Sequence, residues 1–173
     1  MVNHFPELID PFKFARQGEN LHGKIPVARM KRLSDSLDNA SGDVEFDLTF
    51  DMKDRARIAT GKFRTEVKMI CQRCLNQVNV TLQGEVHLEF VVGEETVGNF
   101  EDQGYETVVV DGDSLSLLKL IEDEILLALP FSPLHEKDEC SGSTIVEKLQ
   151  VTNQKPGKPN PFAVLAQLKK DQE

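Results

Sequence analysis

The order of apolar and polar residues predicts an α+β fold. The expected architecture is a twisted antiparallel sheet covered by one main helix, with an extended C-terminal tail that ends in a short amphipathic helix. Three observations carry this reading. Three runs between residues 44 and 92 alternate apolar and polar side chains with period two. One stretch, Leu115 to Leu129, carries a wide apolar stripe at helical spacing and stops at Pro130. Residues 131–160 have no period and hold Pro133, Gly142, Pro156, Gly157 and Pro159.

Taken in order, the first forty residues show no sustained period. Lys24 to Met30 reads as a short strand, Leu33 to Leu37 as a helical turn, and Asn39-Ala-Ser-Gly42 as a loop. Strands are expected over 44–52, 62–70 and 78–92, each with one buried and one wet face, because successive strand side chains point to opposite sides. Turns are expected at Asp51–Asp54 and at Gln72-Arg73, which makes a meander the simplest pairing. Gly84 marks a bulge or kink. Glu106 to Val110 is β-branched and reads as a further strand, after an acidic loop over 92–105. In the helix 115–129, Leu117, Leu118, Ile121, Ile125, Ala128 and Leu129 form the packing face, and Leu120 and Leu127 make a second apolar strip. The Glu122-Asp-Glu124 run reads as a solvated helix face. The domain is expected to span 1–140, followed by a flexible connector and C-terminal helix over 141–173. In that last helix Asn160 caps, Pro161 follows, and Phe162, Leu165 and Leu168 form a candidate partner-binding face.

Charge narrows the function. The 173 residues carry 20 Lys+Arg and 29 Asp+Glu, a net charge of -9. Such a total argues against a nucleic-acid binder that uses its whole surface. The first 75 residues nevertheless hold 13 bases against 11 acids, and bases concentrate over 53–73. Lys62, Arg64 and Lys68 should meet Glu45, Asp47 and Asp51 across neighbouring strands. The bases left for phosphate are mainly Lys53, Arg55, Arg57 and Arg73, near the turns, and of these Arg55, Arg57 and Arg73 are candidate nucleic-acid contacts. Three cysteines, an odd number, fit a reducing compartment and no disulfide framework. No apolar stretch approaches the length of a membrane span, and the N-terminus lacks a secretory pattern, so a cytoplasmic location is expected.

Cys71-Gln-Arg-Cys74 is the chemically richest motif. Two thiolates on a tight turn can share a tetrahedral metal, and structural zinc wants four ligands. His135 and Cys140 can complete a Cys3His set, with zinc as a candidate structural cofactor. Two other readings stand beside it: a redox pair, which normally opens a helix, and a structural turn whose cysteines are small buried residues. No P-loop, GxSxG, GxGxxG or HExxH is present, and no nucleophile has an evident base, so an enzyme is not expected.

Three stretches together carry a resemblance. They are Cys71-Gln-Arg-Cys-Leu75, the run Glu122 to Pro130 with Pro133, His135 and Cys140 after it, and Lys158-Pro-Asn-Pro-Phe-Ala-Val-Leu-Ala166. In order and spacing they resemble the large ribosomal RNA subunit accumulation protein (YceD) family of bacteria, over roughly residues 10 to 170. The resemblance implies a non-enzymatic factor supporting the synthesis, processing or stability of large-subunit (23S) ribosomal RNA. Its partner would be precursor ribosomal RNA or an associated processing or assembly protein, with no membrane and no small-molecule substrate. The alternative function is a zinc-stabilised protein-binding adaptor that does not touch RNA.

Overall fold

The computed structural model describes residues 5–93 and 103–142. The chain divides into two compact units, residues 1–135 and residues 136–173. In the first, Leu8–Ile9 (β1) precedes a helix over Pro11–Gln17 (α1), a strand over Asn20–Pro26 (β2) and a short helix over Lys31–Asp35 (α2). Three long strands follow, Asp43–Lys53 (β3), Ala56–Ile70 (β4) and Gln77–Val92 (β5). Glu106–Val110 (β6), Leu115–Ser116 (β7) and a helix over Leu117–Leu127 (α3) complete it. Among the described residues of the second unit, the Glu139 N–H donates to the Glu136 carbonyl at 3.1 Å and Cys140 is buried.

The sheet order is β2-β3-β4-β5-β6. The first four strands pair antiparallel, and β6 lies parallel along β5, from Leu88 opposite Glu106 to Val92 opposite Val110. The expected meander is therefore present. Phe46, Val67, Val86 and Ile121 share one core, built from the even positions of β3 and β5 and the odd positions of β4. The β3–β4 turn comes later than expected: β3 runs on to Lys53, and Asp54 and Arg55 alone make the turn, with φ of 48° and 74°. Positive φ at both central residues matches the right-handed twist of the flanking strands.

Several elements differ from the pattern. Helix α1 has no apolar stripe, yet Asp10 caps it by accepting from the Lys13 N–H at 2.9 Å, Pro11 opens it and Gly18 closes it at φ 66°. Strand β2 lies over 20–26 rather than 24–30, because Val27–Arg29 turn into a 3-10 helix. The main helix begins at Leu117, since Leu115 and Ser116 pair with β1. Leu120 is buried in the core, whereas Leu127 is exposed. Glu122 is buried as well: it accepts from the Leu33 N–H at 3.1 Å and from Arg32 at 3.0 and 3.2 Å, joining α3 to α2. The acidic run is thus partly a packing contact, because α2 covers that side of the helix.

Period two fails where both faces of the sheet are covered. Ile58 and Ala59 are both buried, as is every residue from Leu88 to Val91. Tyr105 packs on Ala56 and Ile58 on the face away from α3, and its ring meets His87 edge-on at 5.6 Å. His87 is half-buried for this reason.

Gly84 and Gly61 are required by close approach rather than by a bulge. Phe63 lies opposite Gly84, and a Cβ there would come within 2.7 Å of the Phe63 ring. At Gly61 a Cβ would meet the Asp47 carbonyl oxygen at 2.1 Å.

Candidate metal centre

Residues 71–76 form the tight turn between β4 and β5. The Cys71 N–H donates to the Asn76 carbonyl and the Leu75 N–H to the Cys71 carbonyl, both at 2.9 Å. Leu75 adopts φ 60°, which tightens the turn. The chain beyond α3 returns to this turn, where the Gln72 N–H donates to the Pro133 carbonyl at 2.9 Å. That return brings His135 beside the cysteines, with its Nδ1 3.4 Å from Cys74 Sγ.

The His135 ring is oriented from its far side. Its Nε2 lies 2.9 Å from the Gln77 carbonyl oxygen. A carbonyl can only accept, so Nε2 carries the proton and Nδ1 presents its lone pair toward the thiols. Metal-bound histidines are commonly held by such a second hydrogen bond. Burial pushes the Cys71 thiol up, but the backbone N–H groups of His135, Cys74 and Arg73 outweigh it and bring it down to about 5. The lowered thiol favours the thiolate, the form that binds metal.

Cys71, Cys74, His135 and Cys140 form a group whose donor atoms lie within 4.8 Å of one another. None of the three cysteines is in a disulfide. Three sulfurs and one imidazole nitrogen are a standard tetrahedral zinc set, in which Zn–S bonds of ~2.3 Å place sulfurs ~3.8 Å apart. The prepared Nδ1 lone pair and the N–H donors around Cys71 fit such an ion. The turn joins two strands and opens no helix, unlike the usual setting of a redox CxxC pair.

The candidate RNA residues fall in two places. Arg55 and Arg57 lie at the β3–β4 turn, and Arg73 lies beyond the opposite end of β4 beside the cysteines. Strand β4 has 15 residues, which spans roughly 45–50 Å when extended. At the first end, Arg57 sits 5.7 Å from the Phe12 ring centre and Lys53 sits 5.1 Å from that of Tyr105. Lys62 and Arg64 face acids in register, Asp47 opposite Lys62 and Glu45 opposite Arg64. They line a groove of about 820 Å³ with Lys24, Glu45, Asp47 and Glu85. Lys24 and Glu45 pair directly. Because its bases and acids alternate, this groove is a weak phosphate site. Phe162, Leu165 and Leu168 lie outside the described residues. Sequence reading passed over the support for His135 by Gln77 and Pro133, because backbone carbonyls leave no residue-type signal.

The fold and this centre define a small α+β protein with a group able to hold a metal. Its residues 59–169 match the family described as large ribosomal RNA subunit accumulation protein YceD. The chain belongs to that family. It is 30% identical over 167 residues to the large ribosomal RNA subunit accumulation protein YceD of Haemophilus influenzae, covering 95% of each chain. No solved structure matches the chain. The family name ties the chain to the accumulation of large-subunit ribosomal RNA. No helix among the described residues is long and apolar enough to cross a membrane.

Proposed function

We propose that this protein is a non-enzymatic factor that supports the synthesis, processing or stability of 23S ribosomal RNA, and that zinc at Cys71, Cys74, His135 and Cys140 secures its structure. Family membership carries the first part. The four-donor group carries the second. Bound zinc would hold the β4–β5 turn and the chain after α3 in one geometry, and it would supply no chemistry to a substrate.

Direct RNA contact is assigned to the β3–β4 turn. Lys53, Arg55 and Arg57 stand there around one acid, Asp54, with Phe12 and Tyr105 beside them. Phosphate contacts release counterions, so binding to precursor 23S RNA should weaken steeply with salt. The deciding experiment pairs that salt series with complementation of a strain lacking the protein. Restored 23S RNA together with a steep salt slope supports the reading. Restored 23S RNA without RNA binding would favour an adaptor, and failure to restore 23S RNA would refute the role.

A further inference from the structure

Four of the eight large apolar side chains exposed among the described residues lie in the two stretches that form or lead into the metal centre. Leu127, Phe131 and Leu134 come from the end of α3 and the segment after it, and Leu75 comes from the β4–β5 turn. Phe131 is fully exposed, at 104%. Leu75 follows Cys74 and Leu134 precedes His135, so each leucine stands one residue from a 3.4 Å contact. The bond from Gln72 to Pro133 holds the same two stretches together. None of the four joins the core. Aromatic and leucine side chains grouped on a wet surface mark interaction sites, and an aromatic ring is the usual anchor.

Charge says what covers them. Residues 123–142 carry Asp123, Glu124, Glu136, Asp138 and Glu139 against one base, Lys137, while Glu122 is buried against α2. Arg32 offsets part of this through Asp123. The balance stays negative, as it does for the whole chain at -9. Like charge opposes a second copy at this surface, and a cationic partner is steered toward it.

We infer that Leu75, Leu127, Phe131 and Leu134 form a docking surface for a basic polypeptide segment that carries apolar anchors. The anchors seat on Phe131 and the leucines, and the Lys and Arg of the segment lie beside the acids. This goes beyond the RNA reading and stands on the fold alone.

The test is fluorescence anisotropy of the full chain with a labelled amphipathic Lys/Leu peptide. Two controls replace its Lys by Glu or its Leu by Ser. The protein should bind the Lys/Leu peptide and bind each control at least about tenfold more weakly. Leu127→Ser with Phe131→Ser should lose at least about tenfold in affinity, with an unchanged far-UV circular dichroism spectrum. Leu75→Ser with Leu134→Ser, made separately, should do the same. Equal binding by either variant, or of both peptide charges, would overturn the inference. So would a dimer in sedimentation that Phe131→Ser abolishes. A tenfold gain in affinity on replacing Phe162, Leu165 and Leu168 by Ser in the full chain, of order 1.4 kcal/mol, would instead assign the surface to this chain's own end.

Discussion

His135 shows how little of a metal centre resides in its ligands. The carbonyl of Gln77, the first residue of β5, accepts a hydrogen bond from the Nε2–H and thereby fixes which nitrogen faces the sulfurs. If zinc fills the site, protein purified without chelator should carry one zinc per chain by atomic emission, and Cys71→Ser should release it. Chelator should then lower the melting temperature of the wild type and leave that of Cys71→Ser unchanged. A second residue couples stability to pH. Burial, then Glu106 and Asp123, push the Glu124 carboxyl up to about 7. A raised carboxyl binds its proton more tightly in the folded state, so its stabilisation is present at low pH and is lost as pH rises through about 7. Glu124→Gln should therefore leave stability unchanged near pH 4 and raise it near pH 8, about 1 unit above the folded value. Thermal melts across that range check it. Arg55, at φ 74°, occupies a position that glycine adopts without strain. Arg55→Gly should stabilise by about 0.5–1 kcal/mol in denaturant unfolding.

The elements are held by contacts of unequal tolerance. Between β3 and β4, Gly61 faces backbone, whereas Gly84 faces the Phe63 ring. A ring can rotate away and a strand carbonyl cannot. Gly61→Ala should therefore cost more than Gly84→Ala, by about 1–2 kcal/mol in chemical unfolding. Between α2 and α3, Glu122 satisfies the buried Leu33 N–H and the Arg32 guanidinium together. Glu122→Ala should cost about 2–3 kcal/mol, since it strands the amide donor as well as removing an ion pair.

At the scale of the molecule, the sheet separates two ends with different chemistry. One end holds Lys53, Arg55 and Arg57, and the other holds the cysteines, Arg73 and the exposed apolar cluster. Arg55→Glu with Arg57→Glu should weaken RNA binding and flatten its log–log salt slope by about 2, with the fold intact by circular dichroism. Arg73→Glu should leave that slope within about 1 of the wild type, because it lies at the far end of β4.

The three central strands, their buried faces and the four candidate ligands were legible in the residues alone. Period two in Val44–Met52 is a local property: it depends on neighbours in the chain and survives any tertiary arrangement. The identities of Cys71, Cys74, His135 and Cys140 are local too. Helix α1 was legible in principle from Asp10, Pro11 and Gly18, but seven residues make no stripe. The tertiary structure alone decided the rest. Glu122 is buried because α2 packs on that side of α3, and Ile58 is buried because Tyr105 crosses the outer face. His135 reaches the cysteines because Pro133 hydrogen-bonds Gln72, sixty-one residues earlier. Such pairings depend on where distant segments meet, and a one-dimensional pattern holds no record of that distance.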